Sequence, residues 1–248
     1  MYSNGYIFRY AAILVIITAS LLSLAAMLLK PFQDRNRAID KMQGILSSSG
    51  LHNIEAGKAI SLFNKYIVEE DIINPEGDIV TSYTKSPKEE GEAFHVDLKK
   101  ENYNKSKGKP YKLPLYIANV EGKKIYIIPM RGTGLWGPIW GNIALSDDFN
   151  TVVGVFFDHE GETPGLGAEI TTENFQKQFT GKKIFDDKGN FTSIKVVKGG
   201  IKKLPPQEQI HGVDAISGGT ITSKGVEAMI NTTLKSYLPF IKKHNKDK

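Results

Sequence analysis

Ala11 to Leu29, AAILVIITASLLSLAAMLL, is nineteen consecutive residues without a charge. As a helix rising about 1.5 Å per residue it covers roughly 28 Å, close to the thickness of a bilayer's hydrocarbon core. A secretory signal peptide has a shorter apolar core of about 7–15 residues, with small residues at the cleavage site. Here Leu28-Leu29-Lys30-Pro31-Phe32 follows, so the run reads as an uncleaved anchor. The remaining chain is too polar for a second span, and a single-pass protein is expected. Arg9 precedes the span, while Lys30, Arg35, Arg37 and Lys41 follow it. By the positive-inside rule that asymmetry would hold the large domain in the cytoplasm.

The 248 residues are 40% hydrophobic and 24% charged, an ordinary globular balance that argues against long disorder. The net charge of +5 is spread over lysines with acids between them, and no basic stretch is interleaved with aromatics. This reads as a solvated surface and excludes a nucleic-acid face. There is no cysteine, so disulfides, thiolate metal sites and cysteine-ligated iron–sulfur clusters are excluded.

After the span, Arg35–Leu46 reads as a polar helix. Ile54–Ile72 reads as a second helix, with Ala59, Leu62, Phe63, Tyr66 and Ile67 at 3.6-residue spacing. Residues 79–99 are irregular, with a short alternating strand at Phe94–Leu98, and Lys99–Lys112 reads as a polar loop. Then the pattern changes to hairpins. Leu115–Asn119 pairs with Lys124–Pro129, Trp140–Leu145 with Thr151–Phe157, and Lys183–Phe185 with Phe191–Val197. Glu173–Phe179 is a short helix. The last element, Ser223 to about Lys243, carries Val226, Met229, Ile230, Leu234 and Tyr237 on one face. The expected class is α+β: a transmembrane helix, a helical stem, and a domain of antiparallel strands with flanking helices. The expected divisions are 1–10, a short N-terminal segment; 11–29, the transmembrane helix; 30–112, a stem and membrane-proximal α+β region; and 113–248, the main domain.

Three stretches carry residue types suited to a site. Arg131-Gly-Thr-Gly-Leu-Trp-Gly-Pro-Ile-Trp-Gly141 surrounds the chain's two tryptophans with glycines. It is either a hairpin turn with core aromatics or a backbone bent toward a flat ligand beside Trp136. It lacks the third glycine and the helix of a dinucleotide fingerprint. Glu162-Thr-Pro-Gly-Leu-Gly167 follows an apolar strand and is either a simple connection or a loop placing amides around an anion or ring. Asp214-Ala-Ile-Ser-Gly-Gly-Thr-Ile-Thr-Ser223 opens a helix. One of the hydroxyls of Thr220, Thr222 and Ser223 is expected to cap that helix. A cap needs only one hydroxyl, however, and leaves Gly218, Gly219 and Asp214 unexplained. A helix N-terminus also binds phosphate, and a threonine hydroxyl there can hold a phosphate or be esterified to one. No histidine or lysine is obviously placed as its base, so no catalytic nucleophile is assigned. His159 reads as an ordinary solvated loop histidine, and His211 lies upstream of the motif and need not be close to it.

With these stretches in hand, the sequence resembles the NqrC family, the flavin-carrying component of the Na⁺-translocating NADH:quinone reductases (Nqr) of bacterial membranes. The resemblance covers the anchor, GTGLWGPIWG, GETPGLG, the KGG turn at Lys198 and the C-terminal motif, which in the family reads Asp-x-x-Ser/Thr-Gly-Ala-Thr. Asp214, Ser217, Gly218 and Thr220 match, and Gly219 replaces the alanine. The resemblance implies FMN joined covalently through its phosphate to Thr220, after modification by a flavin transferase. Ser217, Gly218, Gly219, Thr222 and Asp214 would surround the attachment. Trp136, Glu162, Thr163, Leu166 and Gly167 would line the isoalloxazine ring, with Lys198 near the ring or the phosphate. It implies an electron carrier within a complex that couples NADH oxidation by quinone to Na⁺ export, with the other Nqr subunits as partners. It places the chain in the bacterial inner membrane with the flavin domain on the periplasmic side, against the charge asymmetry; long domains translocate largely regardless of flanking charge. The alternatives are RnfG of the related Rnf complex, which uses ferredoxin, and a membrane-anchored binding module with no redox role.

Overall fold

The computed structural model describes residues 3–84 and 90–245. These form two compact units, residues 1–41 and 42–248. In the first, the apolar run lies within helix α1, Asn4–Ser48, which is 45 residues long and continues through Pro31. The expected anchor and the expected polar helix are therefore one element. Pro31 removes one backbone donor, which the surrounding turns of a long helix tolerate locally. Large apolar side chains from Tyr6 to Phe32 are exposed along it. Among the described residues this is the one helix long and apolar enough to cross a membrane.

The second unit is built on a six-stranded sheet in the order β2-β1-β3-β4-β5-β6, with every neighbouring pair antiparallel. Its strands are β1 (Ile67–Ile73), β2 (Ile79–Thr84), β3 (Leu113–Val120), β4 (Lys123–Thr133), β5 (Pro138–Leu145) and β6 (Val152–His159). The helices are α2 (Ala56–Tyr66), α3 (Leu98–Ser106), α4 (Glu173–Gln176) and α5 (Thr220–His244). The short strands β7 (Lys195–Val197) and β8 (Gly212–Asp214) pair in parallel.

The hairpins β3–β4 and β5–β6 are where the period-two pattern predicts them. The third expected hairpin does not form: Phe185 and Phe191 share a single isolated bridge, Lys183 bridges to Thr151, and β7 pairs in parallel with β8. Ahead of 113 the structure departs from expectation. The helical spacing of Ala59 and Phe63 is real, and both are buried, but α2 stops at Tyr66. The run Ile67-Val68 and Ile72-Ile73 is β-branched, and such side chains favour a strand, so residues 67–73 pair between β2 and β3 instead of extending the helix. Ile79–Thr84 is a strand, while 85–89, within the stretch expected to be irregular, lie outside the described residues. Residues 92–95 form a single 3₁₀ turn, not a strand. The expected loop from Lys99 begins as α3, capped by Asp97, whose carboxylate accepts the amides of Lys99 and Lys100 at 2.8 and 3.4 Å. The boundary expected at 112/113 falls between two strands of one sheet.

One face of the sheet is covered by α5. Val226, Met229, Ile230, Leu234 and Tyr237, the face read from the sequence, are all buried against β3–β6. The Tyr237 hydroxyl donates to the Pro114 carbonyl at 2.6 Å, anchoring the helix midway. Residues 42–48 and α2 cover the other face. Gly44 sits against the Phe156 ring and Phe63 meets Tyr116 edge-on at 6.2 Å. Phe157, Phe175 and Phe179 close the β6 end, with ring centroids 5.2–6.1 Å apart.

Candidate functional site

Three segments far apart in sequence converge on one side chain, Glu162. The β4–β5 hairpin turns through Gly134–Gly137, closed by the Gly134 amide donating to the Gly137 carbonyl at 2.8 Å. Its tip presents the Trp136 amide to Glu162 Oε1 at 2.9 Å. Thr222, in the first turn of α5, donates its hydroxyl to Glu162 Oε2 at 2.6 Å. The Glu162 amide in turn donates to His159 Nδ1 at 3.2 Å, so His159 is a loop-closing acceptor. Glu162 is only 4% exposed. Burial pushes its carboxyl up, but the Thr222 hydroxyl, the amides of Trp136 and Leu135, and nearby His159 together outweigh this and hold it below the usual glutamate range.

Two glycines make room for this carboxylate. A Cβ on Gly134 would lie 2.4 Å from Oε1, and one on Gly167 would lie 2.3 Å from Oε2 and 2.5 Å from the Thr222 hydroxyl. The glycines of GTG and GLG are thus explained by close approach to a buried charge.

The α5 N-terminus departs from expectation in one respect. Its N-cap is Gly219, with no side-chain capping bond. Of the three hydroxyls expected to compete for that role, Thr222 is committed to Glu162. The Ser223 hydroxyl accepts the Ile216 amide at 3.1 Å, fixing the preceding turn. The Thr220 hydroxyl has no hydrogen-bond partner among the described residues and is partly exposed. Thr220 occupies the first helical position, where backbone amides lack intrahelical acceptors and the helix dipole is positive. Gly219 lies under Leu166: a Cβ there would sit 3.0 Å from the Leu166 carbonyl oxygen and from Ile216. Gly218 adopts φ 76° and Ser217 beside it is exposed.

Around this hydroxyl the surface is apolar. Trp136 is 69% exposed, so it is no core aromatic, and Leu135, Leu166 and Ile221 are exposed too. Thr163 is exposed at the start of its loop, its carbonyl accepting the amides of Leu166 and Ala168. Asp214 ends β8, opposite Val197, and its carboxylate accepts the Ile201 amide at 2.6 Å, which ties down the Gly199–Gly200 turn. Lys198 projects from that turn and is exposed. His211 is buried, its Nδ1 2.7 Å from the Lys183 carbonyl, and serves the core. No group of His, Cys, Asp and Glu able to hold a metal occurs among the described residues.

Residues 134–235, which begin at the hairpin tip and end on α5, match the FMN-binding domain family. All three converging segments lie inside that match. The NqrC component of the Na(+)-translocating NADH-quinone reductase of Vibrio anguillarum is 36% identical over 225 residues, covering 86% of this chain and 84% of that one. Its counterpart in Haemophilus ducreyi is 33% identical over 226 residues, covering 87% and 83%. The chain belongs to the NqrC family. Its fold is the family's: the crystal structure of the Parabacteroides distasonis NqrC matches with a TM-score of 0.74 at 41% identity, covering 86% of this chain and 96% of that one. The Shewanella oneidensis NqrC structure gives 0.67 at 26%, covering 86% and 99%. The signal that sequence reasoning missed is the Glu162–Thr222 bond, since nothing in a linear motif says that residues sixty apart share a proton.

Proposed function

We propose that this chain carries FMN as a phosphoester on Thr220 and passes electrons as the NqrC component of a Na⁺-translocating NADH:quinone reductase. The observation that carries the reading is the division of labour among the hydroxyls of α5. Thr222 and Ser223 are spent on structure, and Thr220 alone of the three is unbonded among the described residues, partly exposed and set among helix-terminal amides. Those amides and the dipole suit a phosphate. The residues present also fit the rest of FMN, since Trp136, Leu166 and Ile221 expose flat apolar surface beside that position. When bound, FMN supplies one- and two-electron redox chemistry, and the protein holds and tunes it.

The chain's own residues do the positioning. Glu162 fixes the hairpin tip to the first turn of α5, so Trp136 and Thr220 keep one relative placement. Gly218 and Gly219 leave the hydroxyl unhindered for a flavin transferase. α1 anchors the chain in the bacterial inner membrane as a single span, with the sheet domain on the periplasmic side. The other members of the complex are its partners, and they supply the Na⁺ path, because the apolar run of α1 has no ionisable residue within it.

The test is intact mass and in-gel fluorescence of the denatured chain, made in cells that supply a flavin transferase. A gain equal to FMN minus water, mapped to the peptide holding Thr220, is expected. An unmodified mass despite an active transferase would leave a non-redox module as the better reading.

A further inference from the structure

Well along α5 from Thr220, a second concave site lies between that helix and α3. It is a cavity of about 430 Å³, within the range of small-molecule sites. Thr232, which lines it, is twelve residues beyond Thr220, or about 18 Å along the helix axis. None of the residues of the Thr220 surface, Trp136, Leu166 and Ile221 included, lines this cavity.

Its chemistry is one-sided. Leu98, Leu113, Pro129 and the Tyr111 ring form apolar walls. Three cations line the same space, Lys105, Lys112 and Arg131, and of these Lys112 is paired with Glu92. Lys105 is half-buried and spends its ammonium on neutral acceptors, the Thr232 carbonyl at 3.3 Å and the Ser236 hydroxyl at 2.5 Å. The acid best placed to neutralise it is Glu101, one helical turn earlier and also on the cavity wall. Glu101 instead accepts the Lys112 amide at 2.8 Å, while the Lys112 ammonium pairs with Glu92. Neither Lys105 nor Arg131 has an ion pair among the described residues. Burial accordingly pushes the Lys105 ammonium below the usual lysine range, with no acid to raise it.

A partly desolvated cation is costly without a counter-charge, and two in one apolar recess repel each other as well. We infer that the α3–α5 cavity binds a small organic anion, a carboxylate on an apolar ring or short chain. The carboxylate lies between Lys105 and Arg131, and the body packs on Tyr111, Leu113 and Pro129. The guanidinium can grip a carboxylate through two donors, and the ammonium adds a third.

The experiment is a ¹⁹F NMR titration of 4-fluorobenzoate into the full chain in neutral maltoside micelles, with empty micelles as the reference. Saturable binding is expected. Lys105→Met and Arg131→Met should each weaken it by about tenfold or more, the size of one charge-assisted contact. Lys202→Met, which removes a cation remote from the cavity, should leave it unchanged. Acetate, which has the charge and no apolar body, should compete about tenfold more weakly. Thr233→Trp, which fills the cavity without removing either cation, should abolish binding while far-UV circular dichroism stays unchanged. No saturable signal above empty micelles, or equal affinity in Lys105→Met and Arg131→Met, overturns the site. Equal competition by acetate overturns the apolar body.

Discussion

The two flanks of α5 are built on opposite principles. At its N-terminus three loops meet on one buried carboxylate whose oxygens are both engaged, with glycines at the close approaches. Farther along, the same helix faces a cavity with two cations that have no acid partner among the described residues. The first arrangement tolerates no displacement, because any shift leaves a buried charge short of a donor. The second is held by scattered polar bonds from α3, a helix with no buried residue. Rigidity is thus concentrated at the turn that carries Thr220, and it relaxes at the cavity, which none of the described residues fills.

The largest expected effect tests the role proposed for the rigid flank. Thr220→Val should abolish covalent flavin, because the one of the three hydroxyls left unbonded among the described residues is gone. It should leave the thermal midpoint of the unmodified protein within about a degree or two, since that hydroxyl has no partner among the described residues to lose. Covalent flavin retained in this variant, read by in-gel fluorescence, would move the attachment to another hydroxyl.

Next come changes that break the rigid flank itself. Gly167→Ala would place a methyl group 2.3 Å from the Glu162 carboxylate and should cost about 3 kcal/mol. Thr222→Val should cost about 2 kcal/mol by leaving a buried carboxylate oxygen without its donor. Urea denaturation of both variants would read these costs. An equal loss on Gly57→Ala, in α2, where a Cβ meets nothing within 4 Å and the backbone is helical, would mean that crowding at Glu162 is not the cause.

A third buried region sharpens the contrast through pH. Asp71, on β1, is fully buried. Burial lifts its carboxyl from 3.8 to about 6; Glu69 beside it adds to the rise, and the Ser82 hydroxyl and Lys124 oppose it. Between those two values the folded chain binds more protons than the unfolded chain, so this contribution falls as pH rises through about 4 to 6. Glu162 has the opposite sign. Its lowered carboxyl contributes stability that is present above 4.5 and lost as pH falls. Asp71→Asn should therefore stabilise the protein at pH 8, by about 2 kcal/mol, and have little effect at pH 4. Thermal melts at the two pH values test this; a gain of the same size at both would remove the titration of Asp71 as the cause.

How much of the molecule is legible in its sequence depends on range. The apolar helix, the β3–β4 and β5–β6 hairpins and the buried face of α5 are local periodicities, and they appear in the structure as read. The hairpin expected at 183–197 does not, because β7 finds its partner farther along the chain, in β8. The strand at 67–73 is hidden because its β-branched run continues a real helical spacing from α2, and only pairing with β2 and β3 decides between them. The residues of the site are visible as three odd glycine-rich stretches. Their purpose is not, because Glu162, Trp136 and Thr222 acquire roles only when they touch. The sequence favours a hydroxyl cap on α5, and the competing demands of Glu162 and the Ile216 amide displace it.

The smallest effect belongs to the loose flank. Lys105→Met removes an ammonium that burial disfavours and that has only neutral acceptors. Its folded-state pKa lies below the unfolded value, so at pH 7 the charge opposes folding, and the opposition fades as pH rises through that lowered pKa. The variant should therefore match or slightly exceed the parent in stability at pH 7, within about 0.5 kcal/mol, although it deletes the bonds to Thr232 and Ser236. A loss above about 1 kcal/mol, the typical net worth of a hydrogen bond, would mean that those bonds hold α3 in place, and the two flanks of α5 would then differ in chemistry but not in rigidity.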